Sequence, residues 1–136
     1  MVALSQQLLL HGSLVLLAGF VGGCFFTRAI KRAQGEVAWR VVHSGSSMGG
    51  VMLIALGAAW PQLAASGWLA SLVAWSLIAG VEVFVLAMFW AAVSGSRGLS
   101  RGGAWSNRGV NALYLCATVL SLTGCGLLVY CAAKAA

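Results

Sequence analysis

Four long apolar stretches, separated by small or basic residues, set the pattern of the chain. They run from about Leu8 to Thr27, His43 to Trp60, Trp68 to Val93 and Gly109 to Ala133. An α-helix needs ~20 apolar residues to cross a ~30 Å hydrocarbon core. Lipid offers backbone groups no partners, so each stretch is expected to be a helix that satisfies its own hydrogen bonds. The pattern predicts an all-α integral membrane protein, a four-transmembrane-helix bundle that forms a single domain over residues 1–136. The third stretch is long enough to tilt. The one proline, Pro61, falls between the second and third stretches, so no proline kink is expected. The N-terminal Met-Val-Ala-Leu-Ser-Gln-Gln has no positive n-region, so the first span is expected to be retained.

Composition narrows the function. Hydrophobic types make up 61% of the 136 residues, charged types 7%, and the mean hydropathy is +0.96. Soluble domains carry about 25% charged residues. A water-facing catalytic domain is therefore excluded, and any chemistry lies within or at the edge of the bilayer. The net charge is +6. Arg28, Lys31, Arg32 and Arg40 fall in the first connection, expected as a loop over 28–42. Arg97, Arg101 and Arg108 fall in the third, over 94–108, and Lys134 is near the end. The second connection and the N-terminus carry no basic residue. The positive-inside rule then puts connections one and three in the cytoplasm and both termini outside, in a bacterial-type inner membrane. Charges that flank spans do not make a basic domain, so no nucleic-acid partner is expected. Cys24, Cys116, Cys125 and Cys131 form no CxxC or CxxCH, which excludes covalent c-type haem attachment. They read as small apolar packing residues.

Gly19 and Gly23, and Gly45 and Gly49, form GxxxG pairs, candidate faces for close helix packing. Ionisable residues inside spans are costly and point to function; they are His11, His43 and Glu82. His43 has Ser46, Ser47 and Gly50 at i+3, i+4 and i+7, a face nearly bare of bulk with room for a planar ring such as a porphyrin. A neutral imidazole is a common haem iron ligand. The alternative is an interfacial histidine bonded to water or headgroups. Arg40, one turn earlier, suits a propionate or a lipid phosphate. His11 is expected near the outer face and His43 near the inner face, too far apart to ligate one haem. Glu82 reads either as a proton carrier, cation stabiliser or ligand partner, or as a carboxyl hydrogen-bonded between helices. Asn107, Asn111 and Tyr114 cluster at the start of span four, near the depth of His43, and either line one cavity with it or face the interface. Trp39, Trp60, Trp68, Trp90 and Trp105 sit near span ends, as an aromatic belt would. Trp75 lies deeper, and packing is its default role.

Three segments together resemble the styrene oxide isomerase family. The first is Leu10-His11-Gly12-Ser13-Leu14. The second runs from Trp39-Arg40-Val41-Val42-His43-Ser44-Gly45 through Gly50-Val51-Met52-Leu53-Ile54-Ala55 to Pro61, similar to the family's W-x-x-x-H-S-G segment, its G-x-M-x-I-A continuation and its closing proline. The third is Ser96-Arg97-Gly98-Leu99, like the family's N-R-G-L. The resemblance covers about residues 8–130. It implies a homotrimer that holds haem b between subunits, with His43 as the axial ligand. Ferric iron then acts as a Lewis acid on a small apolar substrate such as an aryl epoxide. The C–O bond opens to a benzylic cation, a hydride shifts, and an aldehyde forms without a reductant. A dry apolar cavity protects such a cation from water. Gly49 and Met88 stand where the family has a substrate-handling Asn and Tyr. Gly80 stands where it has an acidic residue, and Glu82 is rotated ~200° from that position. These departures bear on the substrate more than on the haem.

The candidate cofactor contacts are thus His43 as metal ligand, with Arg40, Ser47, Gly50 and Arg97. The candidate catalytic residues are Glu82, Tyr114 and Asn111. The leading expectation is a haem b-dependent isomerase with an altered pocket. The alternatives are a membrane haem protein for electron transfer or ligand sensing, and a small transporter or accessory subunit that uses Glu82.

Overall fold

A computed structural model describes residues 2–63, 67–100 and 102–135. It contains α1 (Val2–Arg32), α2 (Glu36–Ala59), a single 3-10 turn (Trp60–Gln62), α3 (Gly67–Ser94) and α4 (Trp105–Ala135), with no strand among the described residues. All four helices are long and apolar enough to cross a membrane.

The helices outrun the apolar stretches. The first connection, expected as a basic loop over 28–42, is only residues 33–35. Ala33 and Gly35 both take positive φ there, 50° and 70°. Lys31 and Arg32 lie in the last turn of α1, and Arg28 is one turn earlier. Hydropathy marks only the part of a helix that sits in hydrocarbon. Long cationic side chains let the same helix continue among the headgroups, and cations suit a helix C-terminus. His43 consequently lies about two turns inside α2 rather than at its start. Arg101 lies outside the described residues.

The four helices form two antiparallel hairpins, α1–α2 and α3–α4. Helix α3 also touches α2 and α1, whereas α4 touches α3 alone among the described residues. Small residues bring the hairpin backbones together. A Cβ added at Gly50 would come within 2.6 Å of Leu16 N, and one at Gly12 within 2.9 Å of Gly50 O. Added Cβ atoms at Gly19 and Gly57 would meet the backbones of Ser47 (2.8 Å to N) and Leu9 (3.1 Å to N). Ser5 Oγ donates to Gly57 O at 2.7 Å. In the second hairpin Gly80 lies against Ser121 and Gly124 against Leu77. Backbone contact of this kind is how membrane helices gain dispersion energy where lipid competes equally for apolar side chains.

The seam between the hairpins is built differently. Gly45 faces the Met88 side chain and Gly49 faces Val81, so side chains of α3 fill the hollows of α2. The one side-chain hydrogen bond between the hairpins, among the described residues, joins His11 Nδ1 to Glu82 Oε1 at 2.6 Å. Trp75 stands edge-on to the His11 ring, 5.7 Å away, and is half-exposed rather than packed in the core. Trp60, expected in the aromatic belt, is instead fully buried against Leu8, Leu53 and Val73. Of the four cysteines, all free, only Cys131 is buried.

Two outcomes follow for stability in detergent. Gly50→Ala pushes a methyl into the Leu16 backbone and is expected to cost about 1–3 kcal/mol. Gly126→Ala, with open space around it, is expected to cost nothing measurable in the same denaturant titration. A double-mutant cycle with His11→Phe and Glu82→Leu is expected to give a coupling of about 0.6–1.7 kcal/mol. A coupling of zero would remove the pair as a tie between the hairpins.

Candidate functional site

His43 is held by the glycines of α1. Its Nδ1 lies 2.8 Å from Gly19 O. A carbonyl can only accept, so Nδ1 carries the hydrogen and donates it, which leaves the lone pair on Nε2. Nε2 makes no hydrogen bond among the described residues. A Cβ at Gly23 would lie 3.0 Å from Nδ1 and 3.2 Å from Cε1, so the ring occupies the space that Gly23 leaves. Gly22 allows the α2 backbone to approach at the same level, with an added Cβ only 3.3 Å from His43 N. An Nδ1–H to backbone carbonyl bond fixes the tautomer and orientation of a metal-binding histidine and raises its basicity.

The small-residue face beside His43 does not stay open. The expectation that Ser46, Ser47 and Gly50 offer a flat bed for a planar ring is corrected here: α1 lies on that face. Gly50 abuts the Leu16 backbone, and Ser47 fits over Gly19. The Ser46 and Ser47 hydroxyls are buried there without a partner. The cause is the reciprocal pattern of glycines on α1, which lets two backbones meet where one small-residue face was read alone. Ser47 and Gly50 are thus taken up by helix packing. Arg40, one turn before His43, is exposed.

A cavity of about 780 Å³ opens between the start of α2, the end of α3 and the third connection. It exists because α2 and α4 do not touch. Val41, Met88, Ala91, Ala92 and Leu99 give it an apolar wall, and Glu36, Arg97 and Tyr114 bring polar groups to it. The Tyr114 ring is tilted against Phe84 at 5.3 Å. Arg97 and Tyr114 therefore meet at one cavity. His43 and Glu82 do not line it, and the shared cavity expected for His43 and Tyr114 is not formed within one chain.

Asn111 has a different use from the one expected. Its Nδ2 donates to Gly98 O at 2.7 Å. One turn earlier, Asn107 Oδ1 accepts from Gly98 N–H at 2.9 Å, while its Nδ2 donates to Ser100 O and Gly102 O. The two carboxamides hold the Ser-Arg-Gly-Leu turn in place. Gly98 has φ 65° and sits so close to Val110 that an added Cβ would approach to 2.5 Å. Asn111, expected as a catalytic candidate, is placed by this bond to shape the cavity wall that carries Arg97. An i,i+4 asparagine pair following a Gly/Ser-rich segment was the available signal.

Glu82 is engaged by His11, so the reading of a carboxyl hydrogen-bonded between helices is the one the geometry supports. Of the three positions that depart from the expected pattern, Gly49 and Met88 lie on the α2–α3 seam, and Gly80 lies against Ser121 within the second hairpin. A Cβ at Gly49 would come within 2.9 Å of Val81 Cγ1, leaving little room for an Asn. Met88 is buried, packs over Gly45 and lines the cavity.

A comparison with curated proteins finds no match. The family model for styrene oxide isomerase matches residues 4–133, nearly the whole chain. That span takes in nearly all of the four helices, with the histidine on Gly19 and the turn clamped by the two asparagines. The chain belongs to the styrene oxide isomerase family.

Proposed function

We propose that this multi-pass membrane protein is a haem b-dependent isomerase that converts a small apolar epoxide, an aryl epoxide in the first instance, to an aldehyde. Family membership supports an isomerase in general. The observation that carries the finer reading is His43, oriented by Gly19 O through Nδ1 with Nε2 left without a partner. His43 fits the group through the chemistry of that nitrogen, whereas Ser47 and Gly50 do not, because α1 covers them. When bound, haem iron supplies a Lewis acid for the epoxide oxygen, and the rearrangement consumes no reductant.

The protein's own residues supply three things. Gly19 O and Gly23 hold the imidazole in one tautomer and one orientation. Arg40, exposed one turn away, is placed to meet a propionate. The 780 Å³ cavity, walled by Val41, Met88, Ala91, Ala92 and Leu99, takes an apolar ring and keeps water from a developing cation. Tyr114 offers the cavity an O–H and Arg97 a guanidinium. Glu82, tied to His11 away from the cavity, serves to position helices. His43 is absent from the cavity lining of its own chain. This supports an arrangement in which the cofactor lies between copies, as in a homotrimer of the bacterial-type inner membrane.

A second reading is a haem protein without turnover. The apolar Gly49 and Met88, at positions where the family carries polar groups, favour it.

The test is the visible absorption spectrum of detergent-purified protein beside His43→Ala. The expected result is a Soret band in the parent protein, lost or shifted in the variant. No haem in folded parent protein would overturn the cofactor reading.

A further inference from the structure

The cationic end of α1 forms a second, smaller site. Arg28 and Arg32 are four residues apart, on one face of the helix, and both are exposed. No carboxylate pairs with either among the described residues. Together with Gln34 they border a cavity of about 280 Å³ whose floor is the pair Phe25 and Trp39. Those two rings stack at 4.6 Å with an interplanar angle of 22°. The stacking fixes the indole of Trp39 in the floor of a cleft flanked by two guanidiniums. Guanidiniums recognise phosphate through paired N–H donors, and they do so best when the anion is partly withdrawn from water.

What lies below the arginines matters as much. Leu10, Leu14, Leu17, Val21 and Phe25 are exposed on α1. Their spacings of four and three residues continue directly to Arg28 and Arg32, so all seven lie along one face. From Leu10 to Phe25 this stripe is about 22 Å long at 1.5 Å per residue, more than the ~15 Å half-thickness of a hydrocarbon core. A free phosphate has no use for such a stripe. A molecule with an anionic phosphate at one end and a long apolar chain fits both parts.

We propose that the Arg28–Arg32 cleft is a binding site for one anionic phospholipid. The phosphate sits between the guanidiniums over the Phe25–Trp39 stack, and an acyl chain runs along the α1 stripe. The site is distinct from the His43 region and from the cavity at Met88 and Arg97. The inference stands whether or not the protein binds haem. Its consequence is local: the lipid covers the exposed stripe of α1 down from the cleft it shares with Trp39 of α2, and stiffens the short 33–35 reversal that joins α1 to the histidine-bearing helix.

The test is native mass spectrometry of the full chain in detergent with added phosphatidylglycerol, phosphatidylcholine or inorganic phosphate. Parent protein, Arg28→Gln/Arg32→Gln and Arg28→Lys/Arg32→Lys are compared. The expected result is retention of one phosphatidylglycerol per chain by the parent. Retention falls about tenfold or more in the glutamine variant, as two interfacial cations warrant, and is intermediate in the lysine variant. Phosphatidylcholine and phosphate do not compete. Equal phosphatidylglycerol retention in the glutamine variant overturns the proposal. So does competition by inorganic phosphate, which would make the cleft a simple anion site. Loss of haem, or a change of oligomeric state, with lipid retention intact also overturns it and assigns the arginines to a cofactor carboxylate or to a second copy.

Discussion

The contact on which the rest of this structure depends is the close approach of α1 to α2. Gly12, Gly19 and Gly22 on one helix meet Gly50, Ser47 and Val42 on the other, at distances that leave no room for a Cβ. In a bilayer, apolar side chains gain little by leaving lipid for protein, so association rests on dispersion between closely fitted backbones and on polar ties. Here the two coincide. The approach that brings Ser47 over Gly19 also brings His43 Nδ1 to the Gly19 carbonyl. In a helix that carbonyl is already engaged by its own ladder, and it accepts a second bond through its other lone pair. The imidazole is thereby fixed without any dedicated polar side chain.

The second hairpin contributes a different kind of order. Helix α3 is the most buried of the four and holds the molecule together, while α4 touches it alone. Because α4 stands off from α2, a cavity remains at one end of the bundle, and Asn107 and Asn111 keep its wall in shape. The histidine thus belongs to the first hairpin while the cavity lies between the two, which are joined by an apolar seam and by the His11–Glu82 bond. A polar pair within hydrocarbon is costly unless each member satisfies the other. Such a pair resists sliding, since any shift of one helix past the other leaves both groups unpaired. The shape of the cavity therefore depends on the relative register of the two hairpins.

Much of the fold was legible in the sequence because hydropathy leaves few choices to a chain that must satisfy its backbone inside lipid. The number of spans and the absence of a proline kink followed directly. The helix ends did not, since Arg28, Lys31 and Arg32 read as loop while belonging to α1. His43 stood out as a costly residue with small neighbours, and both GxxxG pairs pointed to packing. What those small neighbours were for was misread. Ser47 and Gly50 look like room for a ring until the complementary glycines of α1 are set against them, and pairing of two faces is three-dimensional information. The same holds for His11 and Glu82, which are 71 residues apart. Asn111 was placed at the right end of the bundle, but its carboxamide serves the Gly98 backbone.

The most direct test of the central claim is the fate of deuterium in turnover. Membranes containing the protein would be given an aryl epoxide dideuterated at its unsubstituted carbon, with no reductant added, and the aldehyde analysed by mass and NMR. The account predicts an aldehyde with one deuterium on the carbonyl carbon and one on the benzylic carbon, because the migrating atom never leaves the substrate. An aldehyde with a solvent proton at the benzylic carbon, or no aldehyde from haem-loaded protein, would contradict it.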